Sequence, residues 1–252
     1  MFSKLLARVG IGSAKVDLVI LDEYLVPGQN FDVEIHIEGG NVPQEINGIE
    51  LSLVTRGKYE GEGGDGGEFT GYKDIALQSW HIDWSGTVDP QEKYAEKFEL
   101  DLHPETPITT LGGRGNQSRV WVETDLDIKS GLDSSDKDYL PVAPLPAQQA
   151  LLEAMEQLGY YLKKVDVELG HLRHPNVQSE LNCYQEIEFG LRGSGLFGIK
   201  EVEVSFINTG NDIGVVLEID RTFGSDSYKT MLLPTTLSDP RQIISQLERI
   251  LG

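Results

Sequence analysis

Between Leu126 and Pro144 the chain reads LDIKSGLDSSDKDYLPVAP, with Asp127, Asp133, Asp136 and Asp138 inside the stretch and Asp125 just ahead of it. Carboxylates this dense can hold a hard cation, share a proton in acid–base chemistry, or keep a linker in water. A helix–loop–helix calcium loop needs oxygen ligands at regular positions, with glycine sixth and glutamate twelfth. Counted from Asp127 those positions are Leu132 and Asp138; counted from Asp133 they are Asp138 and Pro144. The motif fails in both registers. An irregular metal site on Asp133, Asp136 and Asp138 stays chemically open, because calcium tolerates uneven ligand sets. The commoner use of an acidic stretch with Ser and Gly between two folded units is a solvated linker, and that reading is preferred.

Other chemistry finds less support. His171 and His174 sit in the turn-like GHLRHP, and a zinc site would need further ligands. Cys183 is the one cysteine, on an expected strand, where a small core residue is the usual role. So acidic a chain offers no distinctive carboxylate pair for acid–base work. No GxSxG, HExxH, P-loop or dinucleotide fingerprint occurs. Trp80, Trp84 and Trp121 lie on alternating runs, a setting that favours core or groove over interface anchor. No cofactor and no catalytic residue is expected.

The bulk charge narrows the partners. The 252 residues carry 41 acidic and 21 basic side chains, a net charge of −20. No basic tail or stripe offsets it, which argues against nucleic acid. A lone thiol and no disulfide framework fit a reducing, cytoplasmic setting. Residues 1–9 place Phe2, Leu5, Leu6 and Val9 at helical spacing with Lys4 and Arg8 opposite. That run is too short for a signal peptide or a spanning helix. Docking on the protein's own surface is the preferred role, with membrane-surface association the weaker alternative. Proteins are the expected partners, and a homo-oligomer is left open.

The elements that must position any site alternate with period two. FDVEIHIE sets Phe31, Val33, Ile35 and Ile37 against Asp32, Glu34, His36 and Glu38. KVDLVIL, INGIELSLV, YAEKFELDL and SRVWVETDLDI repeat the pattern, with turn residues such as Pro27-Gly28, Asn47-Gly48 and Gly112-Gly113 between the runs. One-sided alternation predicts antiparallel sheets with one wet face, and many short strands predict a β-sandwich. YEGEGGDGGEFTGYKD has six glycines and five acids, so residues 60–71 are expected to form a mobile loop. It lacks the basic residue and following helix of a phosphate cradle.

After residue 145 the period changes. PAQQALLEAMEQLGYYLKK puts Leu151, Leu152, Met155, Leu158 and Leu162 on one helical stripe that Gly159 should end. Strands resume in KKVDVELG, CYQEIEFGL, IKEVEVSFIN and IGVVLEIDRT. DPRQIISQLERIL predicts a closing helix capped at Asp239-Pro240, with Ile243, Ile244, Leu247, Ile250 and Leu251 buried. The predicted layout is a sandwich over 1–127, an acidic linker over 128–145, and a second sandwich with two helices over 146–252.

Several stretches resemble known proteins. LVPGQNFDVEIHI, INGIELSLV and KFELDLHPETP are similar to consecutive strands of the arrestin fold. GIGSAKVDLVI, VWVETDLDIKSGLDSSDKDYLPV, CYQEIEF and EIDRTFG resemble the bacterial sporulation-control protein family of the arrestin clan, in an order that spans Gly10 to Arg221. The resemblance implies a mainly β chain of two tandem arrestin-like antiparallel sandwiches and a non-enzymatic regulatory scaffold. Such a scaffold would present sheet edges, an inter-domain groove and loops to protein partners. It carries over no catalytic residue. The alternative is a calcium-responsive or small-ligand binding module built on the acidic loops.

Overall fold

The computed structural model describes residues 12–62, 67–113, 115–129, 134–191, 198–222 and 225–252. The helix expected over residues 1–9 lies outside them. Strands dominate. A three-stranded sheet runs β1 (Lys15–Ile20), β2 (Asn30–Glu38), β6 (Lys93–Asp101). A ten-stranded sheet runs β15 (Ser227–Pro234), β14 (Asp212–Arg221), β13 (Ile199–Asn208), β12 (Cys183–Leu191), β9 (Tyr160–Leu169), β3 (Gln44–Glu62), β7 (Val120–Ile128), β8 (Ser134–Tyr139). On β3 also lie β4 (Glu68–Ile82) and β5 (Gly86–Val88). Two helices complete the chain: α1 (Pro146–Gln157) and α2 (Arg241–Leu251).

The alternation read from sequence is the alternation of burial. Phe31, Val33, Ile35 and Ile37 of β2 are buried and face Leu51, Leu53, Val122 and Leu126 of the larger sheet in one core. A second core lies under β12, β13 and β14, whose Ile187, Val202, Val204, Leu217 and Ile219 meet the helices. Among the described residues the layer facing that sheet is helical rather than a second sheet. The stripes Leu151–Met155 and Ile243–Leu247–Leu251 close it together with Leu145 and the packed Val26, Leu111 and Leu237. Gln148 Oε1 accepts the Leu145 N–H at 2.7 Å and starts α1. Gly159, at φ 89°, turns the chain out of it. Asp239 accepts the Arg241 N–H at 3.0 Å, so it caps α2 as its sequence predicts.

Two stretches depart from expectation. Residues 60–71 are not all loop: β3 continues to Glu62 and β4 begins at Glu68, in register Gly61↔Phe69 and Tyr59↔Gly71. Nor is the span 128–145 all linker. Its residues 134–139 form β8, paired with β7 from Leu126↔Ser134 to Trp121↔Tyr139. Leu140, Val142 and Leu145 beyond it are buried. The short alternation of SSDKDYLPV carries aspartates at core-facing positions, and that hid a strand behind its charge.

Besides the β9–β3 pairing of the larger sheet, residues 103–118 tie the two cores together. Gln185 of β12 donates to Ile108 O and Ser118 Oγ, both at 2.7 Å, and accepts the Ile108 N–H at 3.1 Å. The Glu105 carboxylate accepts the N–H groups of Glu180 and Leu181. Gln117 N–H reaches Val165 O at 2.8 Å and Val165 N–H reaches Gly115 O at 3.1 Å. A Cβ on Gly115 would stand 2.1 Å from Lys163 O, so only glycine permits this approach.

Candidate functional site

The outer face of the C-terminal sheet carries a cleft of about 270 Å³. Its floor follows from register. Glu203 of β13 lies opposite Glu218 of β14 and Glu188 of β12. Continuing the Ile187↔Val204 ladder by one residue sets Glu186 beside Ser205. Strand alternation then puts Glu186, Glu203, Ser205 and Glu218 on one face while Ile187, Val204 and Leu217 enter the core.

The roof is a hairpin of β10 (Arg173–His174) and β11 (Val177–Gln178). Pro175 and Asn176 form its tip, and Asn176 has φ 64°, the left-handed third position that follows proline in a type II turn. Leu172 and Val177 anchor it on Ile207 and Val216. Gly214 makes room, since a Cβ there would already stand 3.0 Å from the Val177 methyls. At the rim the His174 ring stacks on Tyr228, with centroids 4.8 Å apart and planes at 30°.

Electrostatics set this floor apart. One carboxylate oxygen from each of Glu186, Glu203 and Glu218 lies within 4.8 Å of the others. None of the three forms an ion pair among the described residues. The nearby lysines are taken: Lys58 pairs with Glu168 at 3.0 Å, Lys163 bridges Glu188 and Glu201, and Lys200 meets Asp220 at 2.7 Å, while Arg173 lines the cleft without an ion pair among the described residues. Glu218 accepts the Tyr228 hydroxyl at 2.6 Å. Burial, then the charges of Glu203, Glu168 and Glu218, pushes the Glu186 carboxyl up to about 8, against an opposing pull from Lys58. Burial and the charges of Glu218, Glu188, Glu201 and Glu168 push Glu203 up to about 7. The arrangement suits a cationic ligand or protons shared among acids.

The acids singled out from sequence lie elsewhere. Asp136 and Asp138 occupy the β8 positions opposite Thr124 and Val122. Asp136 Oδ2 accepts the Leu18 N–H of β1 at 3.4 Å, a long bond at the edge where the two sheets meet. Asp138 Oδ2 is buried without a partner, as is Thr124 Oγ1. Burial, then the charge and hydrogen bond of Asp136 and the charge of Asp17, pushes Asp138 up to about 7. Asp133 lies outside the described residues. His171 and His174 do come together with other candidate ligands, as both line the cleft. Cys183 is buried, and burial with the Glu105 charge pushes its thiol up to about 12, leaving no thiolate for chemistry. Trp121 is buried with the Lys137 ammonium 3.6 Å above its ring.

The glutamate cluster escaped sequence reading because no linear spacing marks it. The available signal was an acid at the wet phase of CYQEIEFGL, KEVEVSF and VVLEIDR, three consecutive strands, and only the ladder register puts those acids level.

A family model described as SpoOM protein matches residues 2–223 of the chain. Among curated proteins, the sporulation-control protein Spo0M of Bacillus subtilis (strain 168) is 32% identical over 222 residues, covering 87% of this chain and 80% of that protein. Among solved structures, the crystal structure of Spo0M from Bacillus subtilis is similar with a TM-score of 0.80 at 30% identity, covering 96% of this chain and 98% of that one.

Proposed function

The chain belongs to the SpoOM protein family, and on that premise we propose that it regulates sporulation as a non-enzymatic scaffold that binds other proteins. The observation that carries this reading is the extent of the match: sequence and fold both follow a sporulation-control protein across nearly the whole chain. Within that reading Cys183 serves as a core residue rather than a nucleophile, since its thiol is buried. A cytoplasmic setting fits that free thiol. No helix among the described residues is long and apolar enough to cross a membrane.

Binding through sheet edges is the finer part of the proposal. β15 ends the ten-stranded sheet and leaves its outer backbone groups unpaired in the ladder. Tyr228 and Leu232 on it are 49% and 50% exposed. An unpaired edge with apolar side chains is the usual template for an added strand. A photo-crosslinking residue at Leu232, compared with one at the exposed Tyr24, tests it in sporulating cells. Discrete adducts of the same mass from Leu232 alone support the edge as a docking site. Equal labelling at both positions, or none at Leu232, rejects it.

A further inference from the structure

We propose that Glu186, Glu203 and Glu218, together with the Ser205 hydroxyl, form a binding site for a hard divalent cation of calcium's size. The site shares Tyr228 with the β15 edge, but it does not depend on protein binding there.

The first argument is distance. Calcium binds oxygen at about 2.3–2.6 Å, so ligands on opposite sides of one ion stand up to about 5 Å apart and adjacent ligands closer. Three carboxylate oxygens mutually within 4.8 Å match that spacing without rearrangement of the sheet. They come from three adjacent strands of a hydrogen-bonded ladder, so their spacing is set by backbone register. In solvated loops such a grouping would drift; here it is held.

The second argument is Ser205, which is independent of the acids. It is 5% exposed, lines the cleft, and its hydroxyl has no hydrogen-bond partner among the described residues. A ligand in the cleft would satisfy it, and hydroxyl oxygen is a natural companion to carboxylates around a hard ion.

The third argument is charge. Every described lysine near the floor is already paired with Glu168, Glu188, Glu201 or Asp220, and Arg173, the guanidinium that lines the cleft, forms an ion pair with none of the three glutamates. Raised carboxyl pKa values at Glu186 and Glu203 are the consequence in the empty cleft. The other charged or titratable groups facing them are His171, Arg173, His174, Tyr184 and Tyr228 from the roof and rim, and Lys58 and Glu168 from the side. Donor type then selects the ion. His174 is stacked on Tyr228, and an oxygen-rich set favours calcium or manganese over zinc or copper. The cleft, at about 270 Å³, has room for the waters that complete a coordination number of six to eight.

The test uses the full chain after chelator treatment, titrated with calcium chloride and followed by calorimetry and thermal melting. Saturation at about 100 times the dissociation constant should raise the melting temperature by about 5–10 °C. Glu203→Gln and Glu186→Gln should each weaken calcium binding at least tenfold, and Ser205→Ala a few-fold. Without calcium the two glutamine variants should melt no lower than wild type, because they relieve repulsion; that result separates a lost ligand from a lost fold. Asp136→Asn with Asp138→Asn should leave the calcium response intact. Terbium luminescence excited through tyrosine gives a second readout, bright in wild type and dim in Glu203→Gln. A wild-type chain with no calcium binding tighter than about 1 mM overturns the proposal. So does a response that survives both glutamine variants, or one that Asp136→Asn and Asp138→Asn abolish instead. Full affinity in Ser205→Ala removes the hydroxyl from the site.

Discussion

Gly71 lies directly opposite Tyr59 in the β3–β4 ladder, and a Cβ placed on Gly71 would stand 2.5 Å from the tyrosine ring. Two residues along, Gly61 faces Phe69 with the same crowding at 2.8 Å. The two rings lean over the glycines and meet edge to face, 6.1 Å apart at 83°. Glycine in a strand forfeits side-chain packing, and a cross-strand aromatic restores it. A stretch that reads as a floppy loop by composition is, over residues 59–61 and 69–71, a ladder with aromatic cover.

Gly71→Ala should therefore cost about 1 kcal/mol, the worth of an edge-to-face aromatic contact, because the Tyr59 ring must swing away from Phe69. In a Tyr59→Ala background the same change should cost nothing or stabilise slightly, since alanine suits a strand better than glycine. A double-mutant cycle from urea melts measures the coupling. Equal costs in both backgrounds would show that the ring and the glycine are independent.

Gln185→Leu should be among the most damaging single changes. It removes three hydrogen bonds and strands the Ile108 backbone N–H and C=O in the interior. A loss of about 3 kcal/mol is expected at this buried site. Because these bonds tie residues 103–118 to the second core, chemical denaturation should also broaden or split into two steps. A shallow, single transition displaced by under about 1 kcal/mol would contradict the clasp.

Asp138 gives a pH signature. Its folded pKa, about 7, lies above the value of about 3.9 for an unfolded aspartate. The folded chain thus holds this proton more tightly, and stability falls as pH rises from about 4 to about 7. Asp138→Asn should melt a few degrees above wild type at pH 8, and the gap should close as pH drops toward 4. A gap that stays constant across that range would show that the carboxyl titrates normally. With chelator present, Glu186→Gln should behave likewise, with its window reaching up to about 8.

Leu247 of α2 is fully buried against the second core. Leu247→Ala should cost about 2–5 kcal/mol, the range for a cavity in a packed interior. Exposed Gln242 on the same helix offers the control, and its alanine variant should stay within about 0.5 kcal/mol of wild type. Comparable melting temperatures for the two variants would mean the helix is not part of the core.

The parts of the fold legible in sequence were those where chemistry and period agree. Phe31 to Ile37 and Ile243 to Leu251 announce their faces because apolar and polar residues fall on opposite sides. β8 stayed hidden because Asp136 and Asp138 stand at positions where the pattern calls for apolar side chains. Their burial is tolerated at the β1 edge, where Asp136 takes up the Leu18 N–H. The glutamate cluster was illegible for another reason. Glu186, Glu203 and Glu218 look like ordinary wet-face acids, and their meeting depends on the register of three strands. His171 and His174, set aside in the sequence for want of further ligands, line the same cleft as the three carboxylates.

The central claim is that this chain regulates sporulation as its relative does. The direct measurement is the heat-resistant spore count of Bacillus subtilis lacking its own Spo0M, with this chain supplied from an inducible promoter and its level checked by immunoblot. The account predicts that the count moves back toward that of the parent strain, and that Gln185→Leu, which loosens the fold, fails to restore it. A chain that accumulates to normal levels and leaves the deletion strain's count unchanged would contradict the claim.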